Sequence, residues 1–281
     1  YGVRSIHLVL PGEQDEVVAS VREAVAERPE ARRFKVHLAE DWFVAGQARA
    51  VLELMAGRPN LPVTAWRPEV YDGFKGKPTL LSNAETWAQL ARCVLMPEAQ
   101  ATTLLTFGGE SGAPNVSEVV LGSRFGDALP ANWSADVPVL VGGYHGVWTT
   151  VDSIADKRID HDSLRAAGVP LGAGVVLTVS GWECPITMTA RILDYLASQS
   201  AKRCGPCLTG LPELARNFAA LAQGQDTRAR LGQLCGLVER RGACAHPDGT
   251  ARLARSAMSV FPAEVAAHLA GRCSAKVEVV A

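Results

Sequence analysis

The sequence has almost no excess of charge of either sign and no long apolar run. Its 281 residues contain 28 Lys and Arg against 29 Asp and Glu, which gives a net charge of −1. A nearly neutral chain offers no overall field to hold a phosphate backbone, which argues against nucleic-acid binding. No apolar stretch reaches the ~18 residues that cross a bilayer, and no secretory signal is recognisable. We therefore expect a cytoplasmic protein without direct membrane insertion.

Cysteine is also scarce. Seven cysteines are too few, and odd in number, for the disulfide framework of a secreted protein. The composition is 48% hydrophobic and only 20% charged, which is typical of a globular protein. The length allows two or three domains. Because the sequence starts with Tyr1 rather than Met, we expect it to begin inside a longer product.

Strand and helix patterns alternate over the first hundred residues. Apolar residues at 8–10 and at 34–38 predict strands, and helical spacing at 17–25 and 48–56 predicts helices. This order favours an α/β layer with a partly parallel sheet. A further amphipathic helix is predicted from Thr86 to Met96. Its apolar face consists of Trp87, Leu90, Ala91 and Val94.

Two other patterns follow along the chain. Short apolar runs broken by glycines, from about residue 102 to 179, predict a small β-rich domain of ubiquitin-like size. Helical spacing from Pro185 onward predicts a four-helix bundle, with a helix-length segment expected to start at Thr250. The fold class is therefore α/β plus α, with domains predicted at 1–98, 99–182 and 183–281.

The strongest local signal is a C-x-x-C motif, Cys204-Gly205-Pro206-Cys207, preceded by Lys202 and Arg203. Two thiols at this spacing can ligate a metal or form a redox-active disulfide, and the cations favour the thiolate that both need. A thioredoxin-type pair would follow a strand, whereas the segment before Cys204 is predicted to be helical.

A third cysteine strengthens the metal interpretation. Cys244 lies 37 residues after Cys207, in a loop between two predicted helices, where a bundle can return it to the first pair. Three thiolates with a fourth donor describe an iron-sulfur cluster or a Cys3His zinc site, which His246 would complete. Spacing alone leaves both open. His145, in a glycine turn, is expected to be accessible.

Four stretches of the chain carry further recognisable patterns. They are 43–62 around Gly46, 76–86 from Gly76 to Thr86, 159–174 from Ile159 to Gly174, and 200–264, which contains the C-x-x-C motif, Cys244 and the sequence Phe261-Pro262-Ala263-Glu264. Together these stretches resemble the NADH- and flavin-binding subunit of respiratory complex I and its relatives in NAD-linked hydrogenases and formate dehydrogenases. They occur in the family's order and cover nearly the whole chain.

The resemblance implies an electron-transfer subunit in which NADH gives a hydride to FMN and single electrons leave through a 4Fe-4S or other iron-sulfur cluster. Residues 1–98 would then be part of a Rossmann-like FMN domain, 99–182 a β-grasp domain of the SLBB type, and 183–281 the cluster-binding bundle. Other electron-transfer subunits of a multi-subunit oxidoreductase would be its partners, and a location peripheral to a membrane complex is implied. The FMN residues carried over are Gly46, Ser82, Asn83 and Thr86, and the cluster ligands are Cys204, Cys207 and Cys244.

Several positions depart from the family pattern. Ala201 stands where the family has its first cluster cysteine, so Cys235, His246 or an exogenous ligand is expected to complete the site. Gln47 and Ala48 replace an acidic pair that contacts the nicotinamide nucleotide, and Ser82 replaces an asparagine of the flavin loop. The family's N-terminal glycine-rich FMN loop has no counterpart.

Two other functions remain as alternatives to electron transfer from NAD(P)H. The first is a non-catalytic assembly module with a zinc site or no metal. The second is a dithiol redox protein that uses Cys204 and Cys207.

Overall fold

The computed structural model describes Val3, residues 5–109, 114–179 and 183–273, and Ala275. The chain forms two compact units. The first contains Tyr1–Leu81 together with two short returning segments, Gln199–Cys204 and Gly242–Cys244. The second contains Ser82–Ser198, Gly205–Arg241 and Ala245–Ala281. The mixed α/β class predicted from the sequence is confirmed, with helices in both units.

The first unit is built on a parallel strand pair. Strand β1 (Ile6–Pro11) and strand β2 (Phe34–Ala39) pair in register from Ile6 opposite Phe34. Helix α1 (Asp15–Ala26) connects them, and its first turn carries Asp15 and Glu16, where carboxylates stabilise the positive end of the helix dipole. Helix α2 (Ala48–Met55) follows β2. The predicted alternation of strands and helices is thus present.

A buried amide fixes the start of α2. Asn60 is fully buried, and its Nδ2 donates to the carbonyls of Ala45 and Ala50, both at 3.1 Å. Its Oδ1 accepts from the backbone N–H of Glu40, also at 3.1 Å. Because a buried amide without partners would be costly, these three bonds hold the turn containing Gly46 in a defined place within the unit.

The second unit begins with helix α3 (Ala84–Leu95), which presents its apolar face outward. Trp87, Leu90 and Val94 are 43%, 53% and 72% exposed. Its polar side chains bond to the neighbouring sheet instead: the Glu85 carboxylate accepts from Thr103, and Arg92 pairs with Glu118. The helix forms where its periodicity predicts, but its polar side chains, rather than its apolar ones, contact the sheet of the second unit.

A five-stranded sheet follows α3 in the same unit. Its strands are β3 (Thr102–Gly108), β4 (Asn115–Val120), β5 (Pro138–Val141), β6 (Val147–Thr150) and β7 (Val175–Thr178). Their order in the sheet is β4-β3-β7-β5-β6, and only the β3–β7 pair is parallel. Three short helices lie along the connections: α4 (Phe125–Ala128), α5 (Val151–Ala155) and α6 (His161–Ala166). A core that includes Leu105, Phe125, Val139, Ile154 and Leu164 packs against it.

Helices account for most of the remaining chain. Helix α10 begins at His246, four residues before the predicted start at Thr250. Pro247 lies in its first turn, where a backbone N–H has no intrahelical acceptor, so proline is tolerated there. The helices are α7 (Pro185–Ser198), α8 (Leu211–Ala222), α9 (Arg228–Val238), α10 (His246–Val260) and α11 (Pro262–Leu269). None of the helices in the described part of the chain is both long and apolar enough to traverse a lipid bilayer.

Trp148 joins this helical part to the sheet of the second unit. The side chain is 2% exposed, and its Nε1–H donates to Thr189 Oγ1 of α7 at 2.9 Å. Its ring meets the ring of Phe261 edge-on, at 5.4 Å between centroids. Trp148 thus combines apolar burial with a hydrogen-bonded indole N–H, and its contacts hold β6 against α7.

Candidate functional site

The C-x-x-C motif lies where the chain enters an unusual helical turn. Residues Pro206–Gly210 form a π-helical turn that continues into α8, and such turns occur often at functional sites. Cys207, within it, is 2% exposed. Cys204 is half-buried and is assigned with Cys244, also half-buried, to the first unit, whereas Cys207 belongs to the second. Helix α7 precedes the motif, as predicted, instead of the strand that a thioredoxin pair requires.

The backbone is strained beside each segment that carries a candidate ligand. Among the described residues, left-handed backbone at non-glycine positions occurs at Lys75, Lys202 and Arg240, with φ of 55°, 53° and 58°. Lys202 is two residues before Cys204, and Arg240 is four before Cys244. Such conformations cost of order 1 to 3 kcal/mol and persist where the surrounding structure enforces them, commonly at ligand sites.

A close helix contact sets the position of the π-helical turn. Gly210 ends the turn, and a Cβ at this position would lie closer than 3.0 Å to Val238 Cγ1 of α9. The backbone can approach α9 only because the residue is glycine. This contact fixes the turn that contains Cys207 against the helix that contains Cys235.

Both candidates for a fourth cluster ligand are engaged within the second unit. Cys235 is fully buried, its Sγ lies 3.8 Å from the carbonyl oxygen of Ala251, and burial raises the pKa of its thiol. His246 is fully buried, with Nε2 at 2.8 Å from the carbonyl oxygen of Leu196 and Nδ1 at 2.9 Å from His145 Nε2. A metal at either residue would have to displace a hydrogen bond that the fold already makes.

The two histidines form a directional chain of hydrogen bonds. A carbonyl can only accept, so His246 Nε2 carries the proton, its Nδ1 accepts, and His145 Nε2 donates to it. Burial, with His246 and Arg252 nearby, lowers the pKa of His145 to about 3. His145, which the glycine turn led us to expect at the surface, is half-buried, because Gly249 of α10 packs against its ring.

The four predicted flavin residues fall in both units. Gly46 is exposed in the first unit, with open space where a Cβ would be. Ser82, Asn83 and Thr86 are exposed at the start of the second. The Asn83 Oδ1 caps α3 by accepting from the backbone N–H and hydroxyl of Thr86, both at 2.7 Å. The Asn83 amide nitrogen is the group of this side chain that remains suited to donate to a ligand.

A cleft of about 290 Å³ lies in the first unit, between α2 and the turn at Gly73–Gly76. Charged side chains line it in compensated pairs: Arg58 bonds to Glu53 through two nitrogens, at 2.5 and 2.6 Å, which lowers the pKa of that carboxyl. Lys75, on the strained turn, lies 5.3 Å from the centre of the Phe74 ring. The Gly76 stretch of the resemblance therefore borders a small polar cleft.

A second group of metal-type ligands was missed by sequence reasoning. Ligand atoms of Cys184, Glu264, His268 and Cys273, all in the second unit, lie within 4.8 Å of one another. The sequence predicts no function for this group, because its two cysteines, Cys184 and Cys273, lie far apart in the chain. The i, i+4 spacing of Glu264 and His268 on a helix was the only available signal.

Comparison with known proteins gives a family model and several relatives that resemble this chain. The family described as "NADH-ubiquinone oxidoreductase-F iron-sulfur binding region" matches residues 187–268. A Rhizobium meliloti protein, named as an F-type subunit of NADH-quinone oxidoreductase, is 23% identical over 96% of this chain and 72% of its own length. The chain thus resembles the F-type subunit of NADH-quinone oxidoreductase, as its sequence predicts. Another relative, the NADP-reducing hydrogenase subunit HndC of Solidesulfovibrio fructosivorans, is 24% identical over 81% of this chain and 50% of its own length.

A solved structure has a similar fold. A chain of an NAD+-reducing [NiFe]-hydrogenase in the air-oxidized state superposes with a TM-score of 0.82 at 21% identity, over 95% of this chain and 49% of that one. The chain spans between about half and three quarters of the length of these relatives. The matched iron-sulfur region contains Cys204, Cys207, Cys235 and Cys244, whereas Cys184 and Cys273 lie outside it.

Proposed function

We propose that this chain is an electron-transfer subunit whose helical part holds an iron-sulfur cluster through Cys204, Cys207 and Cys244. The observation that carries the proposal is the family match at 187–268, which contains all three cysteines. The strained backbone at Lys202 and Arg240, close to these cysteines in the chain, is a second observation that supports the proposal. An iron-sulfur cluster, when bound, accepts and releases single electrons at a potential set by its ligands and surroundings.

The donor set fits such a cluster with three thiolates. Ala201, which stands in place of the family's first cysteine, is 9% exposed and supplies no ligand. Because Cys235 and His246 already make hydrogen bonds in the second unit, we favour a fourth ligand from outside the chain.

Iron and acid-labile sulfide in anaerobically purified protein test this proposal. Cys204→Ser and Cys244→Ser should each lose most of the iron, since a cluster already one thiolate short would fall to two. Cys93→Ser is the matched control, because Cys93 is an exposed cysteine in α3, outside the matched region. Iron and sulfide near zero in the unsubstituted protein would contradict the proposed cluster. Equal iron content in the unsubstituted protein and in all three variants would contradict it as well.

Binding of FMN and NAD(P)H is proposed from fewer observations. The relatives are named for NADH and NADP, and Gly46, Ser82, Asn83 and Thr86 match the family's flavin segments. An exposed glycine backbone and a side-chain amide suit a phosphate or a flavin ring edge, so we propose that these residues contribute to an FMN site that accepts electrons from NAD(P)H. Gln47 and Ala48 supply no carboxylate for the nicotinamide nucleotide, so NADH affinity should be low.

FMN titration followed by flavin fluorescence tests the flavin proposal. Asn83→Asp keeps an oxygen that caps α3 but removes the amide donor, so it should weaken FMN binding while leaving the free energy of unfolding nearly unchanged. Asp160→Asn is the matched control, because Asp160 Oδ1 caps α6 with the same geometry, 2.7 Å from the Ser163 N–H. Equal FMN affinity in Asn83→Asp and the unsubstituted protein would remove Asn83 from the site.

An assembly module without redox turnover is the second candidate. The absent first cysteine at Ala201 and the absent acidic pair at Gln47 and Ala48 favour it. The same metal analysis separates the two, because this alternative requires zinc or no metal, with no iron and no bound flavin. For both functions we propose that other electron-transfer subunits are the partners, since the relatives are themselves named as subunits.

A further inference from the structure

Four metal-type ligands meet where the end of α11 approaches the start of α7. Cys184 immediately precedes Pro185, the first residue of α7, and Glu264 and His268 lie one turn apart on α11. Cys273 follows shortly after the end of that helix. Packing within the second unit brings these residues together across 80 to 84 positions of sequence.

The separations among these atoms are close to those of a tetrahedral metal site. Cys184 Sγ is 3.3 Å from Glu264 Oε1 and 3.1 Å from His268 Nε2, and the last two atoms are 3.2 Å apart. The four ligand atoms, including Cys273 Sγ, lie within 4.8 Å of one another. Zinc bond lengths of about 2.0 to 2.3 Å in a tetrahedron place ligand atoms roughly 3.3 to 3.8 Å apart. Movements of a few tenths of an ångström by the first three atoms, and of up to about 1 Å by the Cys273 thiol, would therefore admit an ion.

The orientation of His268 also suits a metal ligand. Its Nδ1 lies 2.5 Å from the carbonyl oxygen of Ala222, the residue that ends α8. Because a carbonyl can only accept, Nδ1 carries a proton, and Nε2 is the nitrogen that faces Cys184 and Glu264. A backbone carbonyl that holds the far nitrogen in this way is the usual support of a metal-ligating histidine.

His268 Nε2 and Glu264 Oε1 lie 3.2 Å apart, with the Cys184 thiol beside both. His268 is 7% exposed and Cys184 3%, so little water can enter between these atoms. A cation placed among them would stabilise this close approach of electron-rich atoms.

We propose that Cys184, Glu264, His268 and Cys273 bind one Zn²⁺ ion in a closed, four-ligand structural site. Two thiolates, an imidazole and a carboxylate match the borderline-soft character of zinc, and four protein ligands leave no open position for catalysis. The site would fasten the segment after α11 to the start of α7. It is distinct from the proposed cluster, because it shares none of the cluster cysteines, and Cys184 and Cys273 lie outside the matched iron-sulfur region.

Zinc content and Co²⁺ absorption of the full chain test the site. The unsubstituted protein should contain about one zinc per chain in addition to any iron, and Co²⁺ exchanged into zinc-depleted protein should give thiolate charge-transfer and tetrahedral d–d bands. Cys273→Ser and His268→Gln should each weaken zinc binding by at least the ~10- to 100-fold that loss of a supporting partner costs. Cys273 is exposed, so its substitution does not threaten folding.

Control variants separate this site from the iron-sulfur proposal. Cys93→Ser should keep both metals, and Cys204→Ser should lose iron but keep zinc and the Co²⁺ bands. Two results would overturn the site: Co²⁺ bands absent from the unsubstituted protein with all seven thiols reduced, or zinc and Co²⁺ binding unchanged in Cys273→Ser and His268→Gln. Zinc lost from Cys204→Ser but retained in Cys273→Ser would likewise place the ion at the other thiols and refute this assignment.

Discussion

Removing the imidazole of His145 should flatten the dependence of stability on pH. Unfolded His145 titrates near pH 6.5, whereas burial beside His246 and Arg252 lowers its pKa in the folded protein to about 3. A depressed folded pKa means that the contribution to stability is fully present above pH 6.5 and is lost as the pH falls from 6.5 towards 3. At pH 5 the unfolded chain binds this proton and the folded chain does not.

The magnitude follows from the two pKa values. Between pH 7 and pH 5, this one group should cost about 2 kcal/mol of unfolding free energy, and the full loss near pH 3 approaches about 5 kcal/mol. His145→Gln keeps an N–H that can donate to His246 Nδ1 but binds no proton in this range. The variant should therefore lose about 2 kcal/mol less stability than the unsubstituted protein when the pH is lowered from 7 to 5.

Urea unfolding at pH 7, 6 and 5, followed by tryptophan fluorescence and circular dichroism, gives the comparison. Carboxylates that titrate in this range are common to both proteins and cancel in the difference. His161→Gln, which removes an exposed histidine at the start of α6, controls for the loss of one imidazole. If His145→Gln and the unsubstituted protein lose the same free energy between pH 7 and 5, His145 is not held neutral by burial and the hydrogen-bond chain is wrong.

Substitutions at three contacts, each measured as a change in unfolding free energy, probe the packing and capping of the second unit. Thr189→Val should cost about 1 to 3 kcal/mol, because it leaves the buried Trp148 Nε1–H without its acceptor, whereas Thr189→Ser should cost less. Gly210→Ala should cost about 1 to 3 kcal/mol through overlap with Val238, and an added Val238→Ala should restore part of it. Asn83→Ala should cost about 1 kcal/mol as the loss of the α3 cap, and no loss would mean that the cap is not formed.

Local periodicity is enough to predict most helices and strands but does not tell which helix face packs. The parallel β1–β2 pair and α1 follow directly from alternating and helical spacing at 8–38. The apolar face of α3 is also evident in the sequence, yet Trp87, Leu90 and Val94 remain exposed while Glu85 and Arg92 bond to the sheet. A hydrophobic stripe predicts the helix; side-chain bonds to neighbouring elements decide its orientation. The early start of α10 escapes prediction because Pro247 and Gly249 resemble a loop.

The seven cysteines show the same division between local and tertiary information. Cys204 and Cys207 are recognisable by their spacing, and Cys244 by its place in a loop, so the iron-sulfur proposal is accessible from the sequence. Cys184 and Cys273 have no local partner, and only the approach of α11 to α7 places both beside Glu264 and His268. Zinc found in this protein therefore does not by itself argue against an iron-sulfur cluster, because the chain has a separate set of ligands suited to zinc. The metal that disappears with Cys204, and the metal that disappears with Cys273, decide which function each set serves.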